Sequence, residues 1–91
     1  MGLKSTTVCL GYQQITSLSA STALTVPTGA TMALITPESQ AVRWRDDGVA
    51  PTSSVGMPVA VGESLNYDGD LSRIRFIQQA ASATLNISYY A

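Results

Sequence analysis

The sequence predicts an all-β protein: a small antiparallel β-sandwich, jelly-roll-like, of about seven or eight short strands. Three observations carry that expectation. Runs rich in Val, Ile, Thr, Leu and Tyr recur every ~8–12 residues between Pro, Gly, Asp and Ser punctuation, the pattern of sandwiches and barrels. No segment shows the apolar period of an amphipathic helix, about 3.6 residues. The chain has 91 residues, a length suited to one domain over 1–91, with 1–6 read as an extended N-terminal arm. Short alternating strands suit a jelly roll and an immunoglobulin-like order alike, so strand order stays open at this level.

The elements follow in order. Thr7 to Ile15 reads as the first strand, with Gly11 as a bulge position, and Ser17 to Ser21 as a polar connection. Ala23 to Val26 is the second strand, closed by Pro27-Thr28-Gly29-Ala30, where Pro presets one turn angle and Gly supplies a positive φ. Thr31 to Thr36 is apolar on both faces and reads as a central strand; Pro37-Glu38-Ser39 then turns the chain into Gln40 to Arg45. Asp46-Asp47-Gly48 ends that strand, and Val49 to Gly56, with Pro51 and two serines, is the longest irregular segment and the best loop candidate. Met57 to Val61 and Ser64 to Tyr67 flank Gly62-Glu63, and Asp68-Gly69-Asp70 makes a tight turn into Leu71 to Gln78. Ala83 to Tyr90 is the last strand.

Two-residue alternation assigns faces. Val42 and Trp44 share one face and Arg43 and Arg45 the other, while Ile74 and Phe76 oppose Arg73 and Arg75. Trp44 and Phe76 are therefore the expected core anchors. In the last strand Leu85, Ile87 and Tyr89 point one way and Asn86, Ser88 and Tyr90 the other, which leaves Tyr90 exposed unless a neighbour covers it.

Composition narrows the function. Hydrophobic residues make up 45% and charged residues only 12%, about half the usual quarter, so the surface is largely uncharged and suits packing against protein. A formal charge of −1 with five Lys and Arg gives no basic field for phosphates, and nucleic-acid binding is not expected. No stretch approaches the ~18 apolar residues of a membrane span, and the first residues lack the apolar run of a signal peptide, so neither membrane insertion nor export by that route is expected. Cys9 is the one cysteine; an intrachain disulfide is excluded, and the strand around it makes Cys9 a small core or interface residue rather than a reactive thiol.

The chain contains no histidine, which removes the commonest general base and metal ligand at neutral pH. Asp46, Asp47, Asp68 and Asp70 lie in two turns, where Asp beside Gly is ordinary turn chemistry, and so short a chain has little material for a cleft around them. No enzyme activity and no cofactor are expected. Asp68-Gly69-Asp70 offers two carboxylates but no complete calcium-loop motif. The acids are instead expected to pair with Arg43, Arg45, Arg73 and Arg75, whose guanidiniums fit carboxylates in a fork and would set loop geometry or subunit register.

A set of pieces in a fixed order carries a resemblance: Leu24-Thr25-Val26-Pro27-Thr28-Gly29-Ala30, Val42-Arg43-Trp44-Arg45-Asp46-Asp47-Gly48, Pro51-Thr52, Val55-Gly56-Met57, Tyr67-Asp68-Gly69-Asp70-Leu71 and Ile74-Arg75-Phe76-Ile77. Together they resemble a family of small tailed-bacteriophage virion proteins over most of the chain from about Leu24 onward. The resemblance implies a component of a phage particle, assembled in the host cytoplasm and located in the virion. With small size, low charge and no catalytic groups, the leading expectation is a capsid decoration, or cement, protein. It would bind the major capsid protein or another virion protein on the outer shell, as a homo-oligomer, trimer or dimer. The alternatives are a receptor- or glycan-binding module of a head or tail fibre, and a neck or tail joining component. The expected partner contacts are Gly2, Leu3 and Lys4 of the arm, Asp47, Val49 and Pro51 of the long loop, and Tyr90, because a terminus or loop can order on a partner without disturbing the sandwich.

Overall fold

Short β-branched and aromatic runs cannot satisfy their backbone groups alone, so each must pair with another strand. The computed structural model describes residues 7–91 and contains eight strands and no helix among them. They are β1 (Cys9–Ile15), β2 (Thr22–Ala23), β3 (Met32–Glu38), β4 (Val42–Arg45), β5 (Met57–Val59), β6 (Leu65–Tyr67), β7 (Arg75–Gln78) and β8 (Thr84–Tyr90). Sheet A has the order β1-β8-β3-β6 and sheet B the order β2-β7-β4-β5. Every pairing is antiparallel. Strands pair in nested fashion, first with last, second with seventh, third with sixth and fourth with fifth, which is the jelly-roll order and decides against the immunoglobulin-like one.

The core lies between the sheets. Ala33 and Ile35 of β3 and Leu85, Ile87 and Tyr89 of β8 face Val42, Val59 and Phe76 of sheet B, with Leu18, Leu24, Leu71 and Ile74 closing the ends. The alternation in β8 is as expected, and Tyr90 is half-buried beside Met32, its register partner. Gly11 does mark a bulge: Cys9 pairs with Tyr90 and Gly11 with Tyr89, leaving Leu10 as the extra residue. Gln13 is the one polar side chain that turns inward on β1, and it is satisfied there. Its Oε1 accepts from the Tyr89 hydroxyl at 2.6 Å and from the Thr25 amide at 3.1 Å.

Four expectations need correction. Pro37 does not end β3 but continues it, paired with Leu85 and fully buried. Its carbonyl accepts from the Gly62 amide on the side where β6 has already ended, so no ladder donor is needed there. The strand expected from Leu71 starts only at Arg75, because Asp70 holds a turn: its carbonyl accepts from the Arg73 and Ile74 amides and its carboxylate from the Ser72 amide and hydroxyl. Cys9 is exposed on the outer face of sheet A and is not a core residue. Trp44 is half-buried rather than fully enclosed, whereas Phe76 is completely buried.

The β3–β4 connection stores strain. Ser39 has φ 74° and the Gln40 amide donates to the Glu38 carbonyl at 2.9 Å, the geometry of a γ-turn that L-residues adopt at a cost. Ser39→Gly is expected to raise stability by about 0.5–1 kcal/mol, or ~4 °C in melting temperature. Calorimetry checks this, and a lowered midpoint would refute the assigned turn.

Candidate functional site

Sheet B ends in the longest connection of the described chain, residues 46–56 between β4 and β5. Its backbone leaves the ladder and needs other partners. Arg43 supplies two of them, donating through Nε to the Ser53 carbonyl at 3.2 Å and through Nη1 to the Gly56 carbonyl at 2.9 Å. The Thr52 and Val55 amides and carbonyls bond reciprocally, and the Thr52 hydroxyl accepts from the Ser54 and Val55 amides. Buried Pro51 packs against Gly56 under the loop. The segment is thus long and exposed but braced.

At the start of the loop Arg45 and Asp47 form a bidentate pair, Nε to Oδ1 at 3.0 Å and Nη2 to Oδ2 at 2.5 Å. It is the one ion pair among the described residues. The hydrogen bonds from Arg45 hold the Asp47 carboxyl at about 2, below the usual 3.8. A carboxyl depressed in the folded state contributes stability above the unfolded value, and that contribution is lost as pH falls through the folded one. An NMR titration should therefore show Asp47 ionising near pH 2, with the Val49 amide, which donates to Asp47 Oδ1, moving with it. A midpoint at the ordinary value would show that the pair does not form.

Next to this pair a groove of about 430 Å³ opens, lined by Trp44, Arg45, Asp46, Asp47, Val55, Gly56 and Met57. Register explains its position. Val42 pairs with Val59 and Trp44 with Met57, so Trp44 and Met57 share the inner face of sheet B at its open end. Met57 is nevertheless 57% exposed and Val55 53% exposed. Trp44 meets Tyr67 of sheet A edge-on, ring centres 5.7 Å apart, and the Tyr67 hydroxyl donates to Asp46 Oδ2 at 2.5 Å. That contact ties the two sheets together beside the groove.

Burial first, then the bond to Asp46, pushes the Tyr67 phenol up to about 12; burial alone does the same for Tyr89. A phenol whose folded value is raised stabilises fully below the unfolded value of about 10 and loses that contribution as pH climbs toward 12. The protein should lose stability across that window, with ultraviolet absorbance showing delayed tyrosinate formation. Tyr67→Phe should remove one of the two late-ionising phenols. Tyr67 and Tyr89 ionising near pH 10 in the folded protein would contradict the assignment.

Of the expected Arg–carboxylate pairing only Arg45–Asp47 forms among the described residues, and the wider network does not. Arg43 bonds only loop carbonyls, and Arg75 donates to the Ser72 and Ile74 carbonyls. Asp46 receives Tyr67, Asp70 caps its own turn with its carboxyl lowered by the Ser72 bonds, and Asp68 is exposed. Arg73 is exposed beside Gly48 and lines, with Arg75, Ser21, Val49 and Ala50, a second depression of about 260 Å³. Unpaired loop carbonyls next to strand ends compete for guanidinium donors, and in this fold they win. Arg45 and Arg75 sit opposite each other across β4 and β7, so turning each toward its own acceptor also separates like charges.

Of the expected partner contacts, Asp47 and Val49 are exposed on the loop, whereas Pro51 is buried beneath it and anchors rather than presents it. Tyr90 belongs to the outer face of sheet A, apart from the sheet B loop. Gly2, Leu3 and Lys4 lie outside the described residues. Residue reasoning missed Val55, Met57 and Tyr67, which share the site only through cross-strand register and inter-sheet packing. Among the described residues no group of three metal-ligating side chains converges. Compared with known proteins, the chain matches no family model, no curated protein and no solved structure.

Proposed function

We propose that this chain is a decoration, or cement, protein of a tailed-bacteriophage head, acting by binding the outer shell rather than by catalysis. One observation carries the reading: four of the six sequence pieces that carry the phage resemblance, those at 42–48, 51–52, 55–57 and 67–71, meet at one surface. Arg43 and Gly56 bond each other, Pro51 packs on Gly56, Met57 lies beside Trp44, and Tyr67 joins Asp46. Pieces up to 25 positions apart thus build one braced loop and groove, with Val49, Val55 and Met57 offered to a partner. A loop ordered before binding loses little conformational freedom on docking, which favours a binding role.

The test is copy number. Quantitative mass spectrometry of purified particles should find on the order of hundreds of copies in the head fraction, and particles lacking the protein should lose heat resistance. About six or twelve copies would place it at the neck or tail and reject the shell assignment. Met57→Glu should leave the fold intact, since the side chain is exposed, yet weaken binding to stripped heads by about tenfold or more through a desolvated carboxylate. Binding unchanged by Met57→Glu would move the contact off the groove.

A second reading has its own observation. Trp44 lines the groove with Arg45, Asp46 and Asp47, the aromatic and polar combination that a receptor- or glycan-binding module would use. A glycan array with the purified chain separates the two, because glycan binding lost in Asp46→Ala favours the receptor role and no binding favours the shell.

A further inference from the structure

A jelly roll has four open sheet edges, and in this protein three of them are blunted. β2 has two residues, β6 has three, and β5 has three with Pro58 in the middle. Short edges and edge prolines prevent strand addition. The fourth edge, β1, has seven residues with neither proline nor charge. Indeed residues 5–37 and 76–91 contain no charged side chain, so Glu38 is the one charge on the four strands of sheet A. The outer side of sheet B, by contrast, presents Arg43, Arg45 and Arg75.

The direction of the free backbone groups on β1 follows from the ladder. Val8 and Ala91 exchange both of their hydrogen bonds, and the Tyr90 carbonyl accepts from Thr31 on the β3 side. The alternation beyond the bulge then turns the Gly11, Gln13 and Ile15 groups toward β8 and the Tyr12 and Gln14 groups away from it. Tyr12 is 64% exposed, and its hydroxyl donates to Asn86 Oδ1 at 2.6 Å, which lays the ring over the outer face of the sheet. Gln14 joins the same acceptor at 3.0 Å.

We propose that β1 is a self-pairing edge: two copies of this chain join β1 to β1 in antiparallel register about a twofold axis at Gln13, placing Tyr12 of one copy opposite Gln14 of the other. The bulge at Cys9–Gly11 confines the pairing to residues 11–15. Charge selects the occupant, because an uncharged edge meets its own copy without like-charge repulsion, while a charged partner strand would find no counter-ion there. Blunting of the other edges selects the outcome, since one long open edge per copy among the described residues yields a closed pair and not a filament. The pairing is independent of the head assignment and would hold for a fibre module as well.

Sedimentation of the full chain over about a hundredfold concentration range tests this, with reversible association expected toward twice the 9.5 kDa chain mass. Amide exchange of Tyr12 and Gln14 should slow with concentration, while Cys9 exchange stays unchanged because it precedes the bulge. Tyr12→Lys should weaken association about tenfold or more by setting a cation near the axis, and Tyr12→Lys with Gln14→Glu should recover it through cross-copy pairs. A chain monomeric at every concentration, a trimer, or an association indifferent to Tyr12→Lys with no change in Tyr12 and Gln14 exchange would overturn the proposal. Protection of those amides only by a different added protein would assign the edge to that partner and equally overturn self-pairing.

Discussion

Phe76→Ala is expected to remove about 3–5 kcal/mol of folding stability and to lower the melting temperature by roughly 15 °C or more. Phe76 is fully buried in sheet B, between Thr22 of β2 and Trp44 of β4, in the core cluster that also holds Ile87 and Tyr89. A chain of this size has a total stability of about 5–14 kcal/mol, so the loss takes about a fifth of it or more. The surrounding side chains belong to paired strands and cannot collapse into the void, which adds a cavity term to the lost transfer energy. Val49→Ala, at an exposed loop position, should change stability by no more than about 0.5 kcal/mol. Urea unfolding of the two variants is the measurement, and equal midpoints would mean that the core is not where these strands place it.

The second large effect is expected at Gly56. Its φ of 147° is a conformation that L side chains rarely adopt, and a Cβ there would lie 3.1 Å from the Trp44 carbonyl oxygen, 3.1 Å from Arg43 Cβ and 3.2 Å from Pro51 Cβ. The Trp44 carbonyl belongs to a strand and Pro51 is buried, so neither gives way easily. Gly56→Ala should therefore cost about 2–4 kcal/mol, combining backbone strain with overpacking. It should also break the Arg43 bond to the Gly56 carbonyl and release the loop, seen as faster exchange at the Val55 amide. Gly62→Ala is the control: φ is 80° but a Cβ meets nothing within 4 Å, so only strain of about 1 kcal/mol is expected. Equal costs at the two glycines would show that the 46–56 loop is not clamped at Gly56.

Much of the fold is legible because a half-buried strand writes its environment at every second residue. Leu85, Ile87 and Tyr89 are buried and their neighbours are not, and Arg43 and Arg45 face out while Val42 faces in. What misleads is local chemistry that tertiary contacts overrule. Pro37 looks like a strand end until the β6 ladder, which stops at Ile35, makes its missing amide harmless. Leu71 to Ile74 reads as strand until Asp70 captures the amides that follow it. The arginines look like partners for aspartates because both are charged, yet the carbonyls of residues 53, 56, 72 and 74 accept four of the six arginine hydrogen bonds among the described residues. The groove was least legible, since Trp44, Met57 and Tyr67 meet only after two sheets and one long loop are in place.

The nested order of the strands also bears on how the molecule is made. Sheet A keeps its last strand to be synthesised in the interior, between the first and the third, so β1 has no neighbour until β8 leaves the ribosome. Contacts spanning nearly the whole polypeptide close late and slowly. Nascent chains arrested before residue 84 should consequently stay protease-sensitive and depend on chaperones, with native resistance arriving only once residues 84–90 have emerged.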